Sequence, residues 1–392
     1  MKILLLEWDS FGQEYVAEAF RQNECETEHY PWPFGKQEMR ENDTLCRELE
    51  NRLRNGDVSV VFSLNFFPVA AYACHLCGIR YVSWVYDTPY LLLYSKHIKY
   101  ETNQVYLFDR SLCEEFRRNG IDRVYYLPMA APVEIYEKIR ADGGRKYRAE
   151  ISFVGSTYRE ETQDFSCMLE GISPYAAGYL DAIIGMQKAV YGNFFLDGLL
   201  EGKETVLEEL RRVCPILRGE DEWESEAWVY ANYFLARKLT GIQRVELLDM
   251  LSEHFEVKLY TPKGTPELPR VANQGPVDYV SQMPQVFKNT CINLNMTLRS
   301  IHDGIPLRAM DIMGCGGFLL TNYQADFEYW FQPDVDYVYY MDKEDLLYKA
   351  DYYLGHEEER MQIAANGLRK VKEAHTYGHR IRTILDGLGR MQ

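Results

Sequence analysis

DGIPLRAMDIMGCGGFLLTN runs from Asp303 to Asn322. Proline fits the first turn of a helix, where its missing N–H costs nothing. Pro306 therefore predicts a short helix with Asp303 or Gly304 as its cap. Gly314, Gly316 and Gly317 let that helix stop and the next strand, GGFLLTN, pack close. A further strand, CINLNMT, ends at Thr297 just upstream. Strand, helix and strand in this order call for a parallel sheet covered on both faces.

The same rhythm extends outward in both directions. KILLLE (2–7), VSVVFS (58–63), YVSWVY (81–86), NQVYLF (103–108) and RVYYLP (123–128) read as strands. Between them lie a helix from Thr44 to Asn55, the helix PVAAYACHLC closed by Gly78, and SLCEEFRRNG. The last begins at Ser111 with Glu114 three residues on, the pattern of a capping box. A linker is expected at about 130–148. AEISFVGSTY then starts a second α/β domain. From about 160 to 240 the spacing turns helical, which predicts an insertion in that domain. After Gly241 the alternation resumes with RVELLDMLSEHF, EVKLYT, GGFLLTN and YVYYM. Two amphipathic helices close the chain, one with Met361, Ala364, Leu368 and Val371 on a common face. The expected domains are 1–148 and 149–376, followed by a terminal helix, 377–392.

The chain has 392 residues, of which 46% are hydrophobic, enough for two cored domains. Its 59 acidic against 43 basic residues give a net charge of −16, which disfavours nucleic acid and anionic lipid surfaces. MKILLLE is too short an apolar run for a signal core, and no stretch reaches a membrane span. Nine cysteines, including Cys74 and Cys77 in an apolar helical pattern, read as buried thiols in a reducing, cytoplasmic setting. No cluster has metal spacing, so no metal is expected.

Several residues could carry chemistry. A helix start is positive and offers free N–H groups, so Gly304 to Arg308 suit a phosphate or sugar hydroxyls. Arg308 adds forked cationic donors. Asp311 could accept two hydroxyls, as a ribose presents. The plainer alternative makes Asp303 a helix cap and Arg308–Asp311 a simple i,i+3 pair. His302 neighbours this site as a phosphate contact. Gly155 and Ser156, in the turn after FV, could face a diphosphate through backbone N–H groups. Neither G-x-G-x-x-G nor a P-loop is present, which argues against a dinucleotide dehydrogenase and a P-loop NTPase. Asp87, in WVYDTPY, lies just past a strand end and could be a general base or form an Asx-turn. Asp9 sits similarly after the first strand.

The stretch MPQVFKNTCINLNMTLRSIHDGIPLRAMDIMGCGGFLLTNY resembles the C-terminal half of CgeB-type (spore-maturation) glycosyltransferases, and LGHEEERMQIAANGLRKVKEAHTYGHRIRTIL resembles their tail. AEISFVGSTY and WVYDTP resemble further segments of that family. The resemblance implies a GT-B fold, two Rossmann-like domains facing across a cleft. The C-terminal domain would bind a nucleotide sugar, UDP-linked in first preference, and the N-terminal one the acceptor. It implies metal-independent sugar transfer to an acceptor hydroxyl, with no cofactor beyond the donor. The acceptor could be a glycan, a protein or a small molecule. Related enzymes carry two glutamates separated by seven residues. Asp303 and Asp311 match those positions, implying a sugar contact and a ribose contact. By the same analogy Tyr260, Thr261, Val277 and Tyr279 would line the base pocket, Asn295 and Thr297 would end the strand before the donor helix, and the last helix would cross back to the first domain. The other readings of such a fold are a nucleotide-sugar epimerase and a non-catalytic sugar- or surface-binding protein.

Overall fold

The computed structural model describes residues 1–35, 37–141, 146–160, 169–216, 223–262 and 268–389. Parts of the expected linker and of the expected helical insertion lie outside them. The chain divides into two compact units.

The first unit holds residues 1–130, Trp223 and Glu224, and residues 375–389 among those described. Six parallel strands, β1 (Lys2–Glu7), β2 (Glu26–Pro31), β3 (Val60–Leu64), β4 (Arg80–Val85), β5 (Asn103–Leu107) and β6 (Val124–Tyr126), lie in the order β2-β1-β3-β4-β5-β6. The inner strands β3 and β5 are buried at every position, because helices cover both faces. Those helices include α1 (Gln13–Gln22), α2 (Asp43–Arg54), α3 (Pro68–Cys77) and α4 (Arg110–Arg118). Helix α4 departs from expectation. Its cap is Asp109, whose carboxylate accepts from Leu112 N at 3.3 Å, so Ser111 lies inside the helix. Strand β2, ETEHYP, has no apolar run to announce it. As an edge strand it needs only its pairing with β1 and is mostly half-exposed.

Residues 375–389 enclose the terminal helix, Tyr377–Gly389. Buried Arg380 donates to the carbonyls of Pro128, at 2.7 Å, and Met129. Tyr377 packs against Tyr15 and Trp84.

The second unit holds the rest of the described chain, from Ala131 to Ala374. It begins ahead of the expected boundary at 148, because α5 (Val133–Lys138) packs within it. Ala131 lies so near Gly314 that a Cβ added to the glycine would meet it at 2.7 Å. Strands β7 (Ala149–Val154), β8 (Val257–Tyr260), β9 (Ala272–Asn273), β10 (Thr290–Asn295), β11 (Leu319–Asn322) and β12 (Val338–Tyr340) run parallel in the order β12-β11-β10-β7-β8-β9. Between β7 and β8 come α6 (Pro174–Lys188), α7 (Leu196–Leu200), α8 (Glu204–Val213) and α9 (Glu226–Val229). A π-helical turn then leads into α10 (Ala236–Ser252). These helices enclose a core of their own, around Leu180, Leu196, Leu210 and Tyr230. Helices α11 (Met283–Asn289), α12 (Leu307–Gly314), α13 (Lys343–Gly355) and α14 (Glu357–Ala374) complete the unit. Among the described residues no helix is long and apolar enough to cross a membrane.

The decisive stretch folds as strand, helix and strand, with one shift. Pro306 has ψ 151°, an extended value, so it caps α12 and the helix begins at Leu307. Asp303 and Gly304 lie in the loop before it and do not cap the helix. Gly316 takes φ +78°, the left-handed turn that ends the helix. Gly317 is needed for close approach: a Cβ there would lie 2.7 Å from Asn293 Nδ2 and 2.9 Å from the Phe287 carbonyl. Backbone cannot yield as a flexible side chain can. Gly317→Ala is expected to lower stability by about 1–3 kcal/mol in urea unfolding, the usual cost of overpacking.

Candidate functional site

In open α/β sheets a ligand crevice forms at the C-terminal strand ends, where the winding reverses. In the second unit that point lies between β7 and β10. Four strand ends meet around it, and a carboxylate and a guanidinium organise them.

The carboxylate is Glu160, 6% exposed. Ser156 Oγ donates to it at 2.7 Å, Thr157 N at 2.8 Å and Thr261 Oγ1 at 2.7 Å. Burial alone would raise its pKa, but these hydrogen bonds outweigh it and hold the group below its ordinary value. The guanidinium is Arg244, on α10. Its Nη1 donates to the Ser156 carbonyl at 2.6 Å, and its Nε and Nη2 donate to the Met296 carbonyl. It lies over the rings of Phe153 and Tyr158. Sequence reasoning passed over both residues. Their partners lie up to 101 positions away, and Arg244 reads as an ordinary polar position of a helix.

The predicted residues fall into small groups. Ser156 and Thr261 meet at Glu160. The Gly155 amide is used within the sheet, donating to the Tyr260 carbonyl at 3.1 Å. Tyr260 is 3% exposed and packs near Tyr147, so its ring belongs to the interior. Val277 is half-buried in the loop before Tyr279. Asn295 donates to Thr297 Oγ1 and Thr321 Oγ1, and Thr297 N donates to Asn322 Oδ1 at 2.7 Å. Asn322, ending LLTN, could have been read as a strand-end polar residue. His302 stacks on Phe194, with centroids 4.6 Å apart, and contacts Asn232 Oδ1 at 3.1 Å. Thr297, His302, Phe194 and Gln324 line one small crevice. The loop before α12 is pinned from β11. Gln324 donates to the Ile301 and Gly304 carbonyls, and Asp326 N donates to the Asp303 carbonyl.

Asp311 is fully buried. Its Oδ1 accepts from Tyr136 and Tyr279, each at 2.9 Å, and its Oδ2 lies 3.5 Å from Arg308 Nη1. Arg308 also contacts Met283 Sδ. The i,i+3 pair weighed in the sequence is therefore formed here, and two tyrosines occupy the oxygen that a ribose would use. Burial raises the Asp311 pKa from 3.8 to about 6, against the opposing pull of Arg308 and the two hydroxyls.

In the first unit the winding reverses between β1 and β3. Trp8 sits there, donating its indole N–H to the Leu64 carbonyl at 3.1 Å. Its ring lies parallel to Tyr86 and edge-on to Phe34 and Phe67. Asn65, at φ +63°, accepts from the amides of Tyr86 and Asp87 and donates to the Asp87 carboxylate at 2.7 Å. Asp87 and Asp9 are both exposed. Burial raises the Tyr86 pKa, and the nearby charges of Asp87 and Asp9 raise it further. Asp87, Asp9 and Tyr86 thus share the strand-end edge of this unit. Among the described residues no three of His, Cys, Asp and Glu are grouped to hold a metal.

Residues 242–386 match the family described as glycosyl transferase-like. That span runs from within α10 into the terminal helix and holds β8–β12 and α12, whereas β7, Ser156 and Glu160 lie before it. Solved structures resemble the chain over its whole length. HepE of Anabaena, crystallised with UDP, is 10% identical with a TM-score of 0.52, covering 100% of both chains. Sucrose-phosphate synthase of Thermosynechococcus elongatus is 7% identical with a TM-score of 0.56, again covering both chains fully. The UDP-forming α,α-trehalose-phosphate synthase of Burkholderia vietnamiensis is 11% identical with a TM-score of 0.51 over 100% of both chains. No curated protein matches the sequence. At such identities the likeness establishes the fold: two parallel six-stranded α/β units of the GT-B class.

The raised Asp311 pKa has a testable sign. The proton is held more tightly in the folded state, so this stabilising term is complete below about pH 4 and is lost as pH rises through about 6. Asp311→Asn removes the titration. Its stability relative to the wild type is expected to rise between pH 4 and 7, by on the order of 3 kcal/mol at most. Urea unfolding at both pH values checks this.

Proposed function

We infer that this protein is a glycosyltransferase, moving a sugar from a nucleotide diphosphate sugar to an acceptor hydroxyl. The observation that carries the reading is the glycosyl transferase-like match over 242–386, which includes β8, β10, β11 and Arg244 of the strand-end crevice of the second unit. The whole-chain GT-B fold supports it. A UDP-sugar is the proposed donor, because HepE was solved with UDP and with UDP-glucose. Within glycosyltransferases we place the chain with the CgeB type, on the motif from Met283 to Tyr323. The cytoplasm is the proposed location, which the buried thiols of Cys74 and Cys113 suit.

In this reading the donor diphosphate meets the amino end of α12. The amides of Leu307 and Arg308 precede the first intrahelical bond, made by Ala309 N to the Pro306 carbonyl at 3.0 Å. Arg308, released from Asp311, adds charge to the departing diphosphate. Ser156, Thr297, His302, Asp303 and Gly304 border the donor sugar and phosphates. Tyr279 presents an aromatic edge to the base. Freed from Tyr136 and Tyr279, Asp311 would take the ribose. Asp87 is the proposed acceptor base, and Asp9 the second choice. Asn65 fixes the Asp87 carboxylate, so its direction is set before the acceptor arrives.

Saturating UDP is expected to raise the melting temperature, by about 2.7 kcal/mol of added stability at a hundred times Kd. A nucleotide panel showing no shift would remove the enzyme reading. Asp87→Asn should lower kcat by about 100–10,000-fold with donor affinity retained, the usual contribution of a general base. Unchanged turnover would assign the base elsewhere.

A further inference from the structure

The helical segment between β7 and β8 encloses a core of its own, yet two of its residues reach the loop before α12. Both meet His302, which is half-buried on that loop. Phe194 stacks on the imidazole, with centroids 4.6 Å apart and an interplanar angle of 20°. Asn232 Oδ1 lies 3.1 Å from Nε2 of the same ring.

The chain is pinned on both sides of Phe194. Gln187, fully buried near the end of α6, accepts from Phe195 N at 2.9 Å and donates to the Asn193 carbonyl at 2.8 Å. Arg299, in the loop after β10, donates to the Gln187 carbonyl at 2.8 Å and to the Val190 carbonyl, and its guanidinium lies over Tyr191. Asn232 is 1% exposed and lies in the π-helical turn, Tyr230–Leu235. Such turns recur at functional sites. Its Nδ2 donates to the Trp228 carbonyl at 3.1 Å, which fixes the direction of the amide. Turned over, the amide would set two oxygens against each other at Trp228. Oδ1 therefore faces His302, and an amide oxygen only accepts, so Nε2 carries the proton.

We propose that Phe194 and Asn232 are positioning residues for the donor site: Phe194 sets the plane of the His302 ring, and Asn232 sets its tautomer. The inference rests on the glycosyl-transfer reading above and gives the helical segment a task in it. His302 stands on the stretch that leads through Gly304 to the amino end of α12. A ring held in one plane and one tautomer meets the donor without first losing rotational freedom.

A double-mutant cycle on the full chain tests this. Calorimetry gives the affinities for UDP, UDP-glucose, UDP-galactose and UDP-N-acetylglucosamine, and the tightest binder serves as the probe. Phe194→Leu keeps an apolar side chain but loses the stack, and should weaken binding by about 3–10-fold. Phe194→Tyr keeps the ring and should restore most of it. His302→Gln should also weaken binding, and adding Phe194→Leu to it should weaken it no further. In isotope-labelled protein, above the ordinary histidine titration range, the ring nitrogens of His302 should show the proton on Nε2 alone. Asn232→Leu should populate both tautomers. Equal losses from Phe194→Leu with and without His302 would overturn the proposal, as would wild-type affinity in Phe194→Leu. A proton on Nδ1 in the wild type, or an unchanged tautomer in Asn232→Leu, would do the same. Wild-type protein that binds none of the four probes loses the glycosyl-transfer reading and this inference with it. Protein that binds one of them but gives an additive cycle loses this inference alone.

Discussion

The second unit depends on one buried cation. Arg244 stands where the sheet reverses its winding, and its guanidinium holds the carbonyls of Ser156 and Met296, one after β7 and one after β10. Strand ends at a switch point splay apart, and their carbonyls lose their ladder partners. Arginine can satisfy them because its planar fork donates in several directions and stays charged even when burial lowers its pKa. Phe153 and Tyr158 flank it, so the charge lies against ring faces as well as hydrogen-bond acceptors. Glu160 does the complementary work for donors, collecting Ser156, Thr157 and Thr261. Charge-assisted hydrogen bonds are about twice as strong as neutral ones, which suits a crevice that must stay open and fixed.

The first unit solves the same problem with neutral groups. Trp8 bridges the reversal between β1 and β3 with one indole hydrogen bond and an aromatic cluster. Asn65 adopts the left-handed conformation that asparagine tolerates better than most residues, and so turns its amide toward Tyr86 and Asp87. The Asp87 carboxylate is exposed and accepts from an amide, whereas Asp311 accepts from two hydroxyls in the interior, where burial raises its pKa to about 6. Asp87 stands past a strand end of the first unit, and Asp311 lies inside helix α12 of the second.

Much of this architecture is visible in the residues. KILLLE, YVSWVY and CINLNMT are strands because apolar runs of that length, bounded by turn residues, have little else to become. Gly316 and Gly317 announced a tight return from helix to strand. Other elements escaped notice for specific reasons. ETEHYP forms β2 because β1 offers it an edge, and its own side chains carry no pattern. Asp109 displaced Ser111 as a cap because the helix began two residues earlier than its apolar spacing suggests. Pro306 stayed extended, which moved the start of α12 past the acid expected to cap it.

The candidate site divides along the same line. Sequence alone determined that Asp9, Asp87, Ser156, Thr261, Thr297 and the residues around Pro306 would stand at strand ends or helix starts, because local periodicity and turn chemistry fix those places. Only the tertiary structure decided which of them meet. Glu160 gathers Thr261 from 101 positions away, Arg244 joins two strand ends, and Tyr136 and Tyr279 close over Asp311. Contacts of that range are set by how strands order themselves in a sheet, and strand order leaves no local trace in the residues that it brings together.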